Sequence, residues 1–320
     1  MSKELNLLSR TQMSGHFTMT VHGGRRGTMV LAEFDNLITD AGLNDIFANS
    51  GGTGCNRCQL GTGAAAPATS DTALQIAGPA TTTVQRAWST SPTYTAGPPD
   101  YSSDYVTMRF AAGSVTGTWS EVGMSRNTGA FVLFSRALIV DGVGSPTSVT
   151  VLADESLDVT YTVRMYPATA DVTGNVDISG TNYSYTLRPA SVNGPAWGPN
   201  RVAATASAYA GRTQANTGNI TVYDGGIGAR TGVPSGSSTA NAVDYTAAAY
   251  SNNSMQRTFE MKFGLTTHNL AGGIKSILFY PQNAGGNIGL EHQIEFTPKI
   301  PKDNTKILRL NFTASFARRP

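Results

Sequence analysis

Between Leu157 and Tyr166 the chain alternates: Leu157, Val159, Tyr161, Val163 and Met165 fall on one side, and Asp158, Thr160, Thr162 and Arg164 on the other. Successive side chains of a strand point to opposite faces, so this pattern predicts a strand with one face in a core and one in water. His16 to His22 behaves the same way, with Phe17, Met19 and Val21 on one face. The glycine- and arginine-rich Gly23–Gly27 turns the chain into Thr28 to Phe34, a hairpin whose loop is longer than the tightest type. Thr82 to Trp88 and Tyr105 to Ala111 read as further strands. Ser89 to Ser103, with three prolines, reads as a surface loop, because proline cannot donate to a ladder. One helix is expected after Thr39, which can cap it. Asp40 sits at the positive end of its dipole, and Leu43, Ile46 and Phe47 share a face. Ile38 and Leu43 fit a hydrophobic staple, Asn49–Gly52 ends the helix, and its expected use is to plug an open end of a sandwich.

The pattern occurs twice. Met108-Arg-Phe110 matches Met261-Lys-Phe263, and Trp119, Val122 and Met124 match Ile274, Ile277 and Phe279. Leu157, Val159, Tyr161, Val163 and Met165 match Leu308, Leu310, Phe312, Ala314 and Phe316 in the same order. The expected fold is mainly β: two tandem related antiparallel β-sandwich domains, with one short helix each at most and long Gly/Ala/Ser/Thr-rich loops. An N-terminal arm (1–13) precedes the first domain (14–166). A linker (167–179) leads to the second (180–320), which carries a long loop insertion around 189–254. In that second copy Tyr183 to Leu187 is matched to the first hairpin strand, and Ile220 to Gly226 replaces Gln59 to Gly63.

A chain of 320 residues suits about two domains at roughly 150 residues each. A formal charge of +2 with 14% charged residues exerts no strong pull toward nucleic acid or membrane, and 35 glycines suit many short strands joined by turns. No apolar run is long enough to span a bilayer as a helix, and Met1 to Arg10 does not read as a secretory signal.

Trp119-Ser-Glu-Val-Gly123, a short glycine turn, Phe134-Ser-Arg-Ala-Leu138 and the closing alternating strand resemble a β-sandwich module common in tail and fibre proteins of tailed bacteriophages. Gln59-Leu-Gly-Thr-Gly63, followed by Ala64 to Thr72, resembles the glycine turn and polar loop that follow the helix in that module. The resemblance implies a non-enzymatic structural virion protein of tail, baseplate, collar or fibre, assembled in the host bacterial cytoplasm. It implies docking to other virion proteins and homo-oligomers of threefold or sixfold symmetry, without nucleic acid or membrane insertion. A receptor-binding tail tip gripping host surface glycan, and a capsid decoration protein, are the alternatives.

Candidate chemistry is sparse. Cys55-Asn-Arg-Cys58 supplies two of the four ligands that structural zinc needs, and nothing in the sequence places His16 or His22 beside it. The pair reads as reduced thiols next to a strand, with a local or intersubunit disulfide the alternative that an extracellular particle permits. His16 and His22 lie too far apart on one strand face to chelate one ion at about 3.3 Å per residue. His268 and His292 are isolated and carry no assigned chemistry. Glu121, Asp154, Glu155 and Asp158 read as a solvated face or turn. No nucleophile elbow, Walker loop or zinc-protease motif occurs, so no catalytic residue, metal or cofactor is assigned. Tyr94, Tyr101, Tyr105, Tyr245 and Tyr250, on polar loops, are the candidate interface residues, since tyrosine among Ser, Asn and Gly makes adaptable contact surfaces.

Overall fold

The computed structural model describes residues 7–48, 55–88, 93–95, 99, 101–126, 132–166, 168, 170–189, 218–230, 232–279, 282–283, 286–287 and 292–319. The protein is mainly β, with antiparallel sheets packed face to face and, among the described residues, one small helix. The front half holds β1 (Leu7–Gly23), β2 (Met29–Ile38), α1 (Asp40–Ala48), β3 (Arg57–Gly61), β4 (Ala77–Thr81), β5 (Val84–Arg86), β6 (Thr93–Thr95) and β7 (Tyr101–Phe110). It continues with β8 (Gly117–Trp119), β9 (Glu121–Arg126), β10 (Val132–Leu138), β11 (Val149–Val151) and β12 (Glu155–Tyr166). The back half holds β13 (Val172–Ile178), β14 (Thr181–Pro189), β15 (Gly218–Tyr223), β16 (Ser238–Ala247), β17 (Gln256–Phe263) and β18 (Ile274–Phe279). It closes with β19 (Gln282–Asn283), β20 (Gly286–Asn287), β21 (His292–Ile300) and β22 (Leu308–Arg318). The expected helix stop at 49–52 and residues 190–217 of the expected insertion lie outside the described residues.

The alternating segments bury as their pattern dictates. Leu157, Val159, Tyr161, Val163 and Met165 are all buried, and Phe17 packs between Phe34 and Tyr161 with ring centroids 5.8 and 4.9 Å away. Opposite Val163 stands Gly15. A Cβ there would lie 2.4 Å from the Tyr161 hydroxyl, so the glycine makes room for a buried phenol that accepts a hydrogen bond from Asn36. The helix is capped as expected: Gly42 N donates to Thr39 Oγ1 at 2.9 Å. Gly42 itself presses on β10, where a Cβ would sit 2.3 Å from the Phe134 carbonyl oxygen.

In the front half one sheet runs β7–β12–β1–β2, and β2 bends at Leu37 and Ile38 into the facing sheet β10–β9–β3–β4. In the back half β13–β14–β21–β18–β15–β16 face a sheet in which β16 continues into β17 and β22. The antiparallel ladders β1–β2, β2–β10, β10–β9, β9–β3, β3–β4 and β7–β12 have counterparts in β13–β14, β14–β21, β21–β18, β18–β15, β15–β16 and β17–β22. Registers agree too: Phe110 faces Leu157 as Phe263 faces Leu308, and Met108 faces Val159 as Met261 faces Leu310.

Two boundaries and one strand match differ from the sequence reading. Residues 7–13, expected as part of an arm, are the first half of the long strand β1 and pair in parallel with Phe312–Arg318 of β22. Residues 172–178 of the expected linker form β13. Tyr183 to Leu187 lies in β14, which pairs as β2 does, not as β1 does. β6–β7 and β8–β11 have no counterpart, and neither does β1–β12: the edge of β22 that an antiparallel β13 would take is held by β1. The two halves therefore share a strand. Arg319 N donates to Met13 O at 2.8 Å and Phe316 N to Met255 O at 3.1 Å. Arg318 bonds the Ile38 carbonyl and Asp40, while Tyr250 Oη and Asn253 N both donate to Asn44 Oδ1, at 2.6 and 2.7 Å.

Deleting residues 1–13 uncovers the edge of β22. Hydrogen exchange should then accelerate by about tenfold or more in β17 and β22 while β7 and β12 keep their protection. Unchanged exchange in β22 would show that the shared strand contributes little.

Candidate functional site

Charges inside the apolar strands define the most built feature of the molecule. Glu121 opens β9 and Arg136 sits in mid-β10, both buried, with Arg136 Nε donating to Glu121 Oε2 at 2.9 Å. The carboxylate also accepts the amides of Gly63 (3.0 Å), Gln75 (3.1 Å) and Ile76 (2.8 Å). The guanidinium reaches Asp71 Oδ2 at 2.6 Å and the Ala65 carbonyl at 3.0 Å. Gln75 Oε1 takes the amides of Ala64 and Ala65 at 2.7 and 2.6 Å. The long loop between β3 and β4 is thus bolted at both ends and in the middle.

The loop between β15 and β16 is held in the same place by different groups. Gln293 on β21 faces Leu278 on β18 as Arg136 on β10 faces Gly123 on β9. Its Oε1 accepts Gly228 N at 2.7 Å, and its Nε2 donates to Ala229 O and Gly232 O at 3.0 and 2.8 Å. Glu295 Oε2 accepts Ile227 N at 3.0 Å, and Arg188 Nη1 donates to Gly228 O at 2.7 Å. Each bolted loop presents an apolar side chain to solvent: Ile76 is 55% exposed and Val233 is 60% exposed.

Comparisons with protein-family models, curated proteins and solved structures return no match. The reading of this surface therefore rests on its own geometry.

Glu121, Glu155 and Asp158, expected on a solvated face, are buried and paired instead. Glu155 is held by Arg26 and the Leu152 amide; Asp158 takes a bidentate bond from Arg109, at 2.6 Å to each oxygen, and contacts His22 Nε2 at 2.9 Å. His16 Nδ1 contacts Asp35 at 2.9 Å. Among the described residues no group of three His, Cys, Asp or Glu side chains could hold a metal ion. Cys55 and Cys58 are free, buried thiols, and burial pushes both well above their ordinary range, with Asp45 adding to the effect at Cys55.

The candidate tyrosines disperse. Tyr101, expected in a loop, and Tyr105, expected where that loop meets a strand, lie on the outer face of β7 because Ser102, Asp104 and Val106 point inward. The Arg86 guanidinium covers Tyr105 at 3.5 Å. Tyr250 is committed to helix α1 through Asn44. Tyr94 lies on β6 and Tyr245 on β16, but their side chains fall outside the described residues.

Two buried cationic or neutral bolts complete the back half. Lys302 Nζ is ringed by the carbonyls of Gly264 (2.7 Å), Thr267 (3.1 Å) and Asp303 (3.2 Å) and by Asn269 Oδ1 (2.7 Å). His268 stands edge-on to Phe263, and its Nε2 donates to the Ile220 and Asn241 carbonyls at 3.1 Å each. Burial holds its pKa below the ordinary 6.5, against the opposing pull of those carbonyls.

Arg136→Met strands a buried carboxylate and should cost about 3–5 kcal/mol in chemical denaturation, and adding Glu121→Gln should recover part of that loss. Burial alone would raise the Glu121 pKa. The Ile76 and Gln75 amides, Arg136 and Gly63 outweigh it and place it below 4.5. Its contribution is therefore complete above about pH 4.5 and disappears as pH falls through the lower folded-state value.

His268 titrates in a different window. The unfolded chain takes up its proton first as pH falls through 6.5, so stability is full above that pH and declines below it. Denaturation midpoints between pH 7.5 and 5.5 should show the decline, and His268→Gln should flatten it.

Proposed function

We propose that this protein is a structural, non-enzymatic component of a tailed-bacteriophage virion, in its tail, baseplate, collar or fibre apparatus, acting through subunit–subunit docking. The observation that carries the reading is the pair of bolted loops, each offering an exposed apolar residue on a backbone fixed from beneath. A loop ordered before contact loses little conformational entropy on docking, as a surface that must hold a fixed place among neighbours requires. The matched ladders and registers of the two halves support a duplicated sandwich, which sets two such loops on one body. The resemblance of Trp119–Gly123, Phe134–Leu138 and Gln59–Thr72 to the phage module supports the setting. Partners are other virion proteins and further copies of this chain, in rings of threefold or sixfold symmetry.

Mass spectrometry and antibody-labelled electron microscopy of purified particles test the proposal. The chain should be present in a fixed copy number at one location, and Ile76→Asp with Val233→Asp should reduce incorporation several-fold while leaving the purified protein folded. Absence from purified particles would overturn the assignment.

A further inference from the structure

The back half keeps a strand edge that the front half covers. In the front half β1 lies between β2 and β12. Its counterpart β13 pairs, among the described strands, with β14 alone. Of the described strands with a single strand neighbour β13 is the longest, at seven residues against five for β4. Natural sheets blunt an edge of that length with Lys, Pro or a bulge. Val172-Thr-Gly-Asn-Val-Asp-Ile178 holds no Lys or Pro, and its ladder with β14 runs through without a shift in register.

The turn fixes which backbone groups face outward. Ser179 and Gly180 form a two-residue loop, both at positive φ (54° and 86°), and Ile178 faces Thr181 across it. In such a hairpin the residues flanking the loop exchange hydrogen bonds, and bonded and non-bonded pairs alternate from there along the ladder. Ile178, Val176, Gly174 and Val172 therefore bond to β14, while Thr173 and Asn175 turn their amides and carbonyls away from it. Side chains alternate as well. Val176 is buried, so Val172 and Ile178 share its inner face, and Thr173, Asn175 and Asp177 share the outer one. Val172 is nonetheless 37% exposed, so the inner face ends at this edge on an apolar residue in solvent.

We propose that this edge pairs with the same edge of a second copy, antiparallel, about a twofold axis at Asn175. In that register Asn175 exchanges both backbone bonds with its own counterpart, and Thr173 comes opposite Asp177 of the second copy. On the inner face Val172 comes opposite Ile178, and Val176 opposite Gly174. The edge is thus complementary to itself, with no like charges opposed and the exposed valine given an apolar neighbour. An axis at Gly174 would set Asp171 against Asp177, and an axis at Val176 would leave Val172 and Thr173 facing the turn. In the front half the matching edge is held by β12, so the contact is made once per chain and closes as a dimer. It draws on backbone groups that the bolted loops do not supply, so a chain absent from particles would still form it.

Sedimentation velocity of the full chain over a concentration series tests the contact. A dimer should appear in concentration-dependent exchange with monomer. Asn175→Pro removes an outward amide and spares the ladder with β14, since proline is tolerated at an edge whose N–H faces solvent. It should weaken dimerisation about tenfold or more. Asn175→Lys and Asn175→Asp, at an exposed position, each set like charges against each other on the axis. Each alone should weaken association several-fold, and an equimolar mixture of the two should recover it as a heterodimer. Ile76→Asp with Val233→Asp should leave the dimer unchanged. A monomer at every concentration, a dimer indifferent to Asn175→Pro, no recovery in the mixture, or loss of the dimer in the Ile76 and Val233 variant would each overturn the proposal.

Discussion

A strand at the edge of a sheet presents a row of amides and carbonyls that must find partners, and the edge of β22 finds them in the first half of β1. Everything else in the arrangement of the two halves follows from that choice. Since β1 is one unbroken strand, whatever pairs with residues 7–13 is fixed in direction relative to whatever pairs with residues 14–23. The Arg318 contacts with Ile38 and Asp40, and the double bond of Asn44 to Tyr250 and Asn253, then lock the angle about that axis. The result is one hydrophobic core running through both halves, not two beads on a string.

The bolted loops illustrate two solutions to one electrostatic problem. Loop amides near a sheet end need acceptors, and a buried acceptor must itself be compensated. The front half uses an ionised pair, Glu121 with Arg136, and extends it to Asp71. At the matched buried position the back half uses the neutral amide of Gln293, which donates and accepts at once and carries no charge to desolvate, and leaves the charged Glu295 and Arg188 at part-exposed places. The second solution avoids the cost of burying two ions and asks for closer geometric fit.

Much of the fold was legible in the alternation of β1, β7, β12, β17 and β22, because a period of two has one reading when one face is apolar. The matched triplets around Met108 and Met261 were legible for the same reason, and their registers agree in space. The bolts were not. Glu121 was read as a surface charge because carboxylates usually are, and Arg136 was given no role, yet each interrupts an otherwise apolar or small-residue strand, Glu-Val-Gly-Met and Phe-Ser-Arg-Ala-Leu. A charge at such a place has neighbours that exclude water, and that was the available signal. Tyr101 was assigned to a loop on the strength of nearby prolines, whereas Ser102 and Asp104 turn inward and carry the strand back past it. The parallel ladder of residues 7–13 could not be read at all, since its partner lies at the other end of the chain and no local pattern announces a parallel neighbour.

That same ladder sets an order of events during synthesis. Residues 7–13 leave the ribosome well before the residues they pair with, which follow roughly three hundred positions later. The front sandwich can close around Gln12–Gly23 long before then, holding the early segment ready as a preformed template. Joining the two halves is therefore the contact of greatest sequence separation and the step expected to come last, a latch that closes only on a chain already translated through β22.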